Sequence, residues 1–411
     1  MNAKYIFSHG SYFEWYRSPL MPFMLFVLSP FGYLIAEYAF IVAVSTLFVY
    51  ACVLIAKKAK FDTTLFYALM LSPFVLNVGL SVGTELLTLS LLMLCIATIH
   101  ERKSAFFFGL GFLARYTVTI FAPLLLFKRN WKEFIVTAFI IIAIWSPWIA
   151  YNVAEKGHPF YSTADSYLFN VAYRDYLVML PNVIDFLLPI GFYIFFVFIG
   201  LYLRWKERFQ EIDWMVLIFA ILSIISYLQV PVKEPRYLFN LVFPAAYFTA
   251  VFAQALVKKV HVSLMQIVGF ITCVNFLVAG IFFVSLSIPA GLYEGANDVG
   301  SSCAVMSNGW TYLNYIGIAS EPYPQQRDIP DAIQSGTKIM LFKTIGDPLY
   351  TFNTTFLHLF PIIKETNAYI ILGTNSTCAS RKVSDKSFIE RLREGGENIE
   401  LCPIIPILCK R

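Results

Sequence analysis

Gly32-Tyr-Leu-Ile-Ala-Glu-Tyr-Ala-Phe-Ile-Val-Ala-Val-Ser-Thr-Leu-Phe-Val-Tyr-Ala-Cys-Val-Leu-Ile-Ala56 carries one formal charge, Glu37, and ends against Lys57-Lys58-Ala-Lys60. A helix needs about 20 apolar residues to cross a ~30 Å hydrocarbon core. This stretch meets that length, and its apolar residues run on continuously where the wall of a β-barrel would alternate. Similar runs recur along the 411 residues, which are 58% hydrophobic and only 14% charged. Soluble domains carry about 25% charged residues, so the solvent for much of this chain is lipid. The net charge of +5 is too small to indicate a nucleic-acid partner. The first 17 residues hold no apolar core of a cleavable signal peptide.

Five basic clusters interrupt the apolar runs: Lys57/Lys58/Lys60, Arg102/Lys103, Lys128/Arg129/Lys132, Arg204/Lys206/Arg208 and Lys258/Lys259. Placing all five in the cytoplasm predicts helices over Gly32–Ala56, Thr63–Leu76, Glu85–Ile99, Phe134–Asn152, Leu177–Leu203, Trp214–Val230, Tyr237–Val257 and Val262–Ser287. Ser104–Phe127 begins and ends beside cytoplasmic charge and is predicted to be a re-entrant pair of short helices turning near Arg115. Non-helical backbone at that depth is tolerated only inside protein or along a cavity. The expectation is therefore an all-α polytopic membrane bundle, with about eight spans plus the re-entrant pair. Residues 1–30 form an external loop or interfacial segment, 31–287 the membrane domain, and 288–411 a small external α/β domain. The same scheme puts the N-terminus outside, and a first helix upstream of Met1 is the simplest expectation.

Past Pro289 charge rises, and strand-like runs stand out at Cys303–Met306, Lys338–Phe342 and Ala368–Leu372. Helical patterns lie near Trp310–Ile316 and Ser387–Leu392, giving the alternation of a small α/β layer. Cys303, Cys378, Cys402 and Cys409 fall in this external part, where two disulfides in any of three pairings can form. Cys52, Cys95 and Cys273 lie in apolar runs as inert core residues. Asn353-Thr-Thr and Asn375-Ser-Thr have the form of N-glycosylation acceptors.

Ionisable residues at the external ends of the helices are the candidates for chemistry. Glu85 heads an inward helix, where the helix dipole alone would also favour a carboxylate. Arg115 marks the re-entrant turn. Lys233-Glu234-Pro-Arg236-Tyr opens another helix, and Arg236 would equally serve as an interfacial anchor. His158 and Arg174 sit in a long external loop, His158 with every mark of a plain loop residue. No spacing indicates a metal site; the cofactor is undetermined, and a divalent cation is compatible without being indicated.

Several segments, in order, resemble the GT-C superfamily of membrane glycosyltransferases, in particular its mannosyltransferase-like and aminoarabinose-transferase-like branch. They are His9-Gly-Ser-Tyr with Arg17-Ser-Pro-Leu-Met-Pro; Gly83-Thr-Glu-Leu; Phe108-Gly-Leu-Gly-Phe-Leu-Ala-Arg-Tyr-Thr with Pro123; Pro147-Trp, Tyr151-Asn and Gly157-His-Pro-Phe; and Pro235-Arg-Tyr-Leu-Phe-Asn-Leu with Pro244. They span Ser8 to about Leu256. The resemblance implies an enzyme that moves a sugar, with inversion, from a polyprenyl (dolichyl-type) phosphate to a glycan, lipid or protein acceptor at the external membrane face. It assigns the donor phosphate to Arg236, with Lys233 beside it and Arg115 deeper. Glu85 matches the second acidic loop and is the catalytic candidate of this chain; Glu234, His158 and Arg174 line the site. The family's first-loop carboxylate precedes the Gly-x-Tyr stretch and would fall upstream of Met1; Glu14 follows that stretch and does not match it. A secondary transporter or an inactive homologue are the competing readings. A transporter is expected to show an internal repeat with a second broken helix pair, and none is visible.

Overall fold

The structure is a computed structural model, and it describes residues 17–81, 83–128, 130–170, 180–231, 233–260, 263–285, 291–299, 303–310, 313, 318, 320–322, 329–343 and 357–374. The chain divides into two compact units, meeting in sequence between Ser285 and Leu286.

The first unit is helical: α1 Leu20–Leu28, α2 Tyr33–Ala59, α3 Thr63–Met70, α4 Glu85–Ala97, α5 Lys103–Ala114, a 3-10 helix Tyr116–Phe127, α6 Trp131–Lys156, α7 Tyr161–Asn170, α8 Val183–Ile190, α9 Ile194–Glu207, α10 Glu211–Gln229, a 3-10 helix Pro235–Leu241, α11 Val242–Val260 and α12 Leu264–Ser285. Among the described residues, six helical stretches are long and apolar enough to cross a membrane: Leu34–Ala59, Trp131–Lys156, Val183–Glu207, Glu211–Gln229, Pro235–Lys259 and Leu264–Ile281. The protein is thus a multi-pass membrane bundle. The predicted spans at Thr63–Leu76 and Glu85–Ile99 are shorter than a crossing: α3 stops at Met70, a π-helical turn follows over Val75–Gly79, and α4 has 13 residues. From Leu86 to Ile96 every residue of α4 is buried. A helix apolar on all sides has no face for water and belongs in the core; α2 and α5 cover it. Within residues 1–30, expected as an external loop or interfacial segment, α1 forms over Leu20–Leu28. Pro22 lies in the first turn of α1, where a missing N–H costs nothing.

α5 and the following 3-10 helix are joined through Arg115, whose backbone alone is extended (φ −158°, ψ 121°). The segment folds back so that Lys128 Nζ donates to the carbonyls of Ile99 (2.8 Å) and Glu101 (3.2 Å). Its two ends therefore lie near each other.

Described residues of four of the five basic clusters, Lys58, Arg102, Lys128 and Arg204, make contacts with neighbouring helix ends. Lys58 Nζ donates to Ile96 O (2.8 Å), Arg102 pairs with Glu133, and His100 pairs with Glu211. Gln254 reaches Lys60 O, and Arg204 pairs with Asp213, which also accepts from Tyr247 Oη (2.6 Å). Polar side chains also join helices in the interior. Asn275 donates to Ala68 O (3.0 Å) and accepts from Tyr193 Oη (3.0 Å). α9 crosses α11 at Gly200, where a Cβ would stand 1.8 Å from Phe248 O; small residues allow such backbone approach in membrane helices. Cys52 and Cys95 are buried, whereas Cys273 is exposed on the surface of α12, so it is not a core residue.

The second unit contains α13 Gly291–Val299, β1 Val305–Ser307, β2 Ser320–Pro322, α14 Ile329–Gln334, β3 Lys338–Phe342, β4 Ile362–Glu365 and β5 Tyr369–Leu372. The sheet order is β2-β1-β3-β5-β4; β1 runs parallel to β2 and β3, and β5 antiparallel to β3 and β4. Alternation splits the central strands between two cores. Met340, Phe342, Tyr369 and Ile371 pack with Val299 of α13 on one face; Ile339, Leu341, Ile370 and Leu372 pack with Ile329 and Ile333 of α14 on the other. Strands covered on both faces read as unbroken apolar runs, which is why β3 and β5 are evident in the sequence. β2 and β4 are edge strands with Ser-Glu-Pro and Ile-Ile-Lys-Glu compositions and carry no such signal. The strand predicted at Cys303–Met306 is displaced to Val305–Ser307. Cys303 is disulfide-bonded; Cys378, Cys402 and Cys409, both glycosylation tripeptides and the Ser387–Leu392 pattern lie outside the described residues.

Candidate functional site

At the ends of the helices remote from the basic clusters, four of the predicted residues come together. Glu85 is the first residue of α4, where the exposed N–H groups and the dipole favour its carboxylate. Gly83 gives that carboxylate its room, since a Cβ there would meet Glu85 Oε2 at 2.6 Å. Arg115 Nη1 lies 3.4 Å from Glu85 Oε1, with both side chains largely buried. Two guanidiniums lie over the Tyr237 ring: Arg115 Cζ is 5.8 Å and Arg236 Cζ 5.4 Å from its centroid. Arg236 is ion-paired with Glu234, and Glu85 adds a further electrostatic interaction with Arg236. The site thus gathers Glu234, Arg236, Glu85 and Arg115 near one aromatic ring, with the Glu85–Arg115 pair the more enclosed. Two arginines beside a shared aromatic ring suit a phosphate.

The other three predicted residues are placed elsewhere or not described. Lys233 Nζ donates to the carbonyls of Tyr227 (3.2 Å), Leu228 (3.0 Å) and Val230 (2.5 Å) and lies over the Tyr227 ring. It closes the C-terminal end of α10, satisfying carbonyls that a helix end otherwise leaves unpaired. His158 Nδ1 accepts from Phe160 N–H (3.1 Å) and shapes the turn into α7. Arg174 lies outside the described residues. Among the described residues no group of three His, Cys, Asp or Glu side chains forms a metal cage.

Tyr116, next to Arg115 in sequence, belongs to a buried polar network whose Trp148 and Asn152 lie in the resembling segments, while Ser162 was not singled out. Trp148 Nε1 points at Tyr116 Oη (3.1 Å) and Ser162 Oγ (3.0 Å), and Tyr116 Oη lies 3.1 Å from Ser162 Oγ. Asn152 Oδ1 accepts from Ser162 N–H, and Asn152 Nδ2 donates to Trp148 O. Asp165 is buried one turn further along α7. Tyr116 and Tyr237 were in view only as neighbours of an arginine; nothing local in the sequence marks them.

Residues 21–167 match the family model of Glycosyltransferase family 87. That region holds Glu85, Arg115 and the Tyr116 network and stops short of Glu234 and Arg236. No curated protein matches the chain. Among solved structures, the crystal structure of ArnT from Cupriavidus metallidurans bound to undecaprenyl phosphate superposes with a TM-score of 0.62 at 10% identity, over 93% of each chain. At that identity the likeness is one of fold. The chain is thus similar to Glycosyltransferase family 87 over residues 21–167 and shares the fold of the ArnT structure.

Proposed function

We infer that the protein transfers a sugar from a polyprenyl-phosphate carrier to an acceptor hydroxyl, at the membrane face opposite its Lys/Arg-rich end and with inversion. The observation that carries this reading is the cluster of Arg115, Arg236, Glu85 and Glu234 around Tyr237. The undecaprenyl phosphate bound to the similar ArnT structure supports the choice of donor. In the reaction the acceptor oxygen bonds to the anomeric carbon while the bond from that carbon to the phosphate oxygen breaks. The electron pair leaves on the phosphate, and the acceptor's proton passes to a carboxylate. Arg236 and Arg115 offset the charge that develops on the phosphate. Glu85 is the carboxylate of this cluster best placed to take the proton or hold the acceptor. The positive-inside rule puts the basic end in the cytoplasm, and the disulfide of Cys303 suits an oxidising compartment for the C-terminal unit.

The test uses the full chain in lipid nanodiscs. Undecaprenyl phosphate should bind to the wild type, and Arg236→Ala and Arg115→Ala should each weaken binding. A panel of radiolabelled polyprenyl-phosphate sugars should give transfer with at least one. Unaltered binding in both variants would remove these arginines from the phosphate site, and release of no sugar from any donor would overturn the transferase reading.

A further inference from the structure

We propose that Tyr116 is the positioning residue of this site, its hydroxyl locking the Arg115 turn so that the Arg115 guanidinium is held for the donor phosphate. The inference rests on the phosphate role of Arg115 argued above.

Arg115 is a single extended residue between two helices, and three contacts hold it in place. Arg115 N–H donates to Gly111 O (2.8 Å), and Val118 N–H donates to Arg115 O (3.0 Å). Gly111 also lets the two arms close, since a Cβ there would already touch Val118 Cγ1 at 3.4 Å. The third contact is the next side chain along. Tyr116 packs its buried ring on Phe112, with centroids 5.2 Å apart, and its hydroxyl meets the indole N–H of Trp148 and the hydroxyl of Ser162. Arg17 O also lies within 3.3 Å of that hydroxyl.

These partners come from elements well separated in sequence: Trp148 from α6, Ser162 from α7, and Arg17 from the segment before α1. α6 is itself fixed against α5, because Trp145 Nε1 donates to Gly109 O (3.0 Å) and a Cβ on Gly109 would meet Ile144 Cδ1 at 2.9 Å. The phenol therefore ties the turn to a rigid surface. A buried tyrosine that merely satisfied its hydroxyl could sit anywhere in the bundle; this one is adjacent to a cation that pairs with Glu85. Removing the hydroxyl leaves Trp148 Nε1 and Ser162 Oγ bonded to each other at 3.0 Å. The core then survives while the turn loses its tether.

The test is a double-mutant cycle between Tyr116→Phe and Arg115→Ala, read as undecaprenyl phosphate binding by the full chain in nanodiscs. Melting temperature is followed alongside. Tyr116→Phe should weaken binding about fivefold in the Arg115 protein, the order expected for one hydrogen bond, and change nothing once Arg115 is Ala. Ser162→Ala, which keeps the phenol and removes one of its partners, should act in the same direction and serves if Tyr116→Phe does not fold. A purely structural tyrosine would lower binding equally in both backgrounds, and that result overturns the proposal. So does an unaltered affinity in Tyr116→Phe while Arg115→Ala binds weakly, which leaves the phosphate reading standing. Unaltered binding in Arg115→Ala removes the phosphate role of Arg115 itself, and this inference with it.

Discussion

Arg115 and Glu85 are separated by 30 residues of sequence, yet the guanidinium of one lies 3.4 Å from the carboxylate of the other. The pair joins the turn after α5 to the first residue of α4. Glu85→Gln keeps the shape and removes the charge. Transfer activity should fall by at least tenfold, while undecaprenyl phosphate binding holds or tightens, since Arg115 then has one less anionic competitor. Measuring the two separately checks this; a parallel loss of both would indicate that Glu85 serves only to hold Arg115.

Lys233 and Arg236 are three residues apart and differ in what they do. Lys233 closes α10, so Lys233→Met should lower the melting temperature and leave undecaprenyl phosphate affinity within about threefold of wild type. Arg236→Ala should do the reverse, with affinity falling by about tenfold, as expected for loss of one charge-assisted contact. Equal effects on affinity would return Lys233 to the site.

Gly200 and Asn275 make separable stability predictions. Gly200→Val cannot fit against Phe248 O without parting α9 from α11, so yield of folded protein in detergent should drop sharply. Asn275→Leu removes one bond to Ala68 O and one from Tyr193 Oη. Interhelical polar contacts in membranes are worth roughly 0.6–1.7 kcal/mol, and Tyr193→Phe should cost a part of the same amount. The two changes share a partner, so their combined effect should be less than additive.

In the C-terminal unit, Asp298 accepts from Lys364 and Tyr369, tying α13 to β4 and β5. The hydrogen bond from Lys364, then that from Tyr369, hold the Asp298 carboxyl below its usual value. Stability from a depressed carboxylate is present above its unfolded pKa and is lost as pH falls through the folded one. Wild-type protein should therefore lose resistance to unfolding of this unit below about pH 4, the ordinary carboxylate range. Asp298→Asn should be less stable at neutral pH and flatter across the acid range. Proteolysis of this unit as a function of pH measures both; identical profiles would show that the contact carries no stability.

The membrane helices were legible because their signal is local. α2, α6, α10 and α12 each declare themselves by length and apolarity, and the flanking lysines and arginines identified which ends lie together. The Arg115 break was legible for the same reason, from basic residues on both sides of a run too short to cross twice. α1 was not distinguished from the expected loop or interfacial segment because it is short, with Pro22 in its first turn and Pro19 and Pro30 on either side. β2 and β4 were missed because edge strands need not be apolar. The site was legible only in part. Glu85, Arg115, Glu234 and Arg236 stood out as charges at helix ends, but so did Lys233, and its sequence surroundings look no different from theirs.

Composition and charge placement alone determined that this chain is a multi-pass helical membrane protein with a distinct C-terminal part, and which helix ends share a side. Lipid enforces this physically, because an apolar run or a flanking charge is favourable or costly by itself, whatever it packs against. Only the tertiary structure decided that Arg115 meets Glu85, that Arg115 and Arg236 both lie over Tyr237, that Lys233 turns back onto the preceding helix, and that Tyr116 is tied to Trp148 and Ser162. Those relationships depend on how helices distant in sequence pack, and on which of several available carbonyls or carboxylates a side chain can reach.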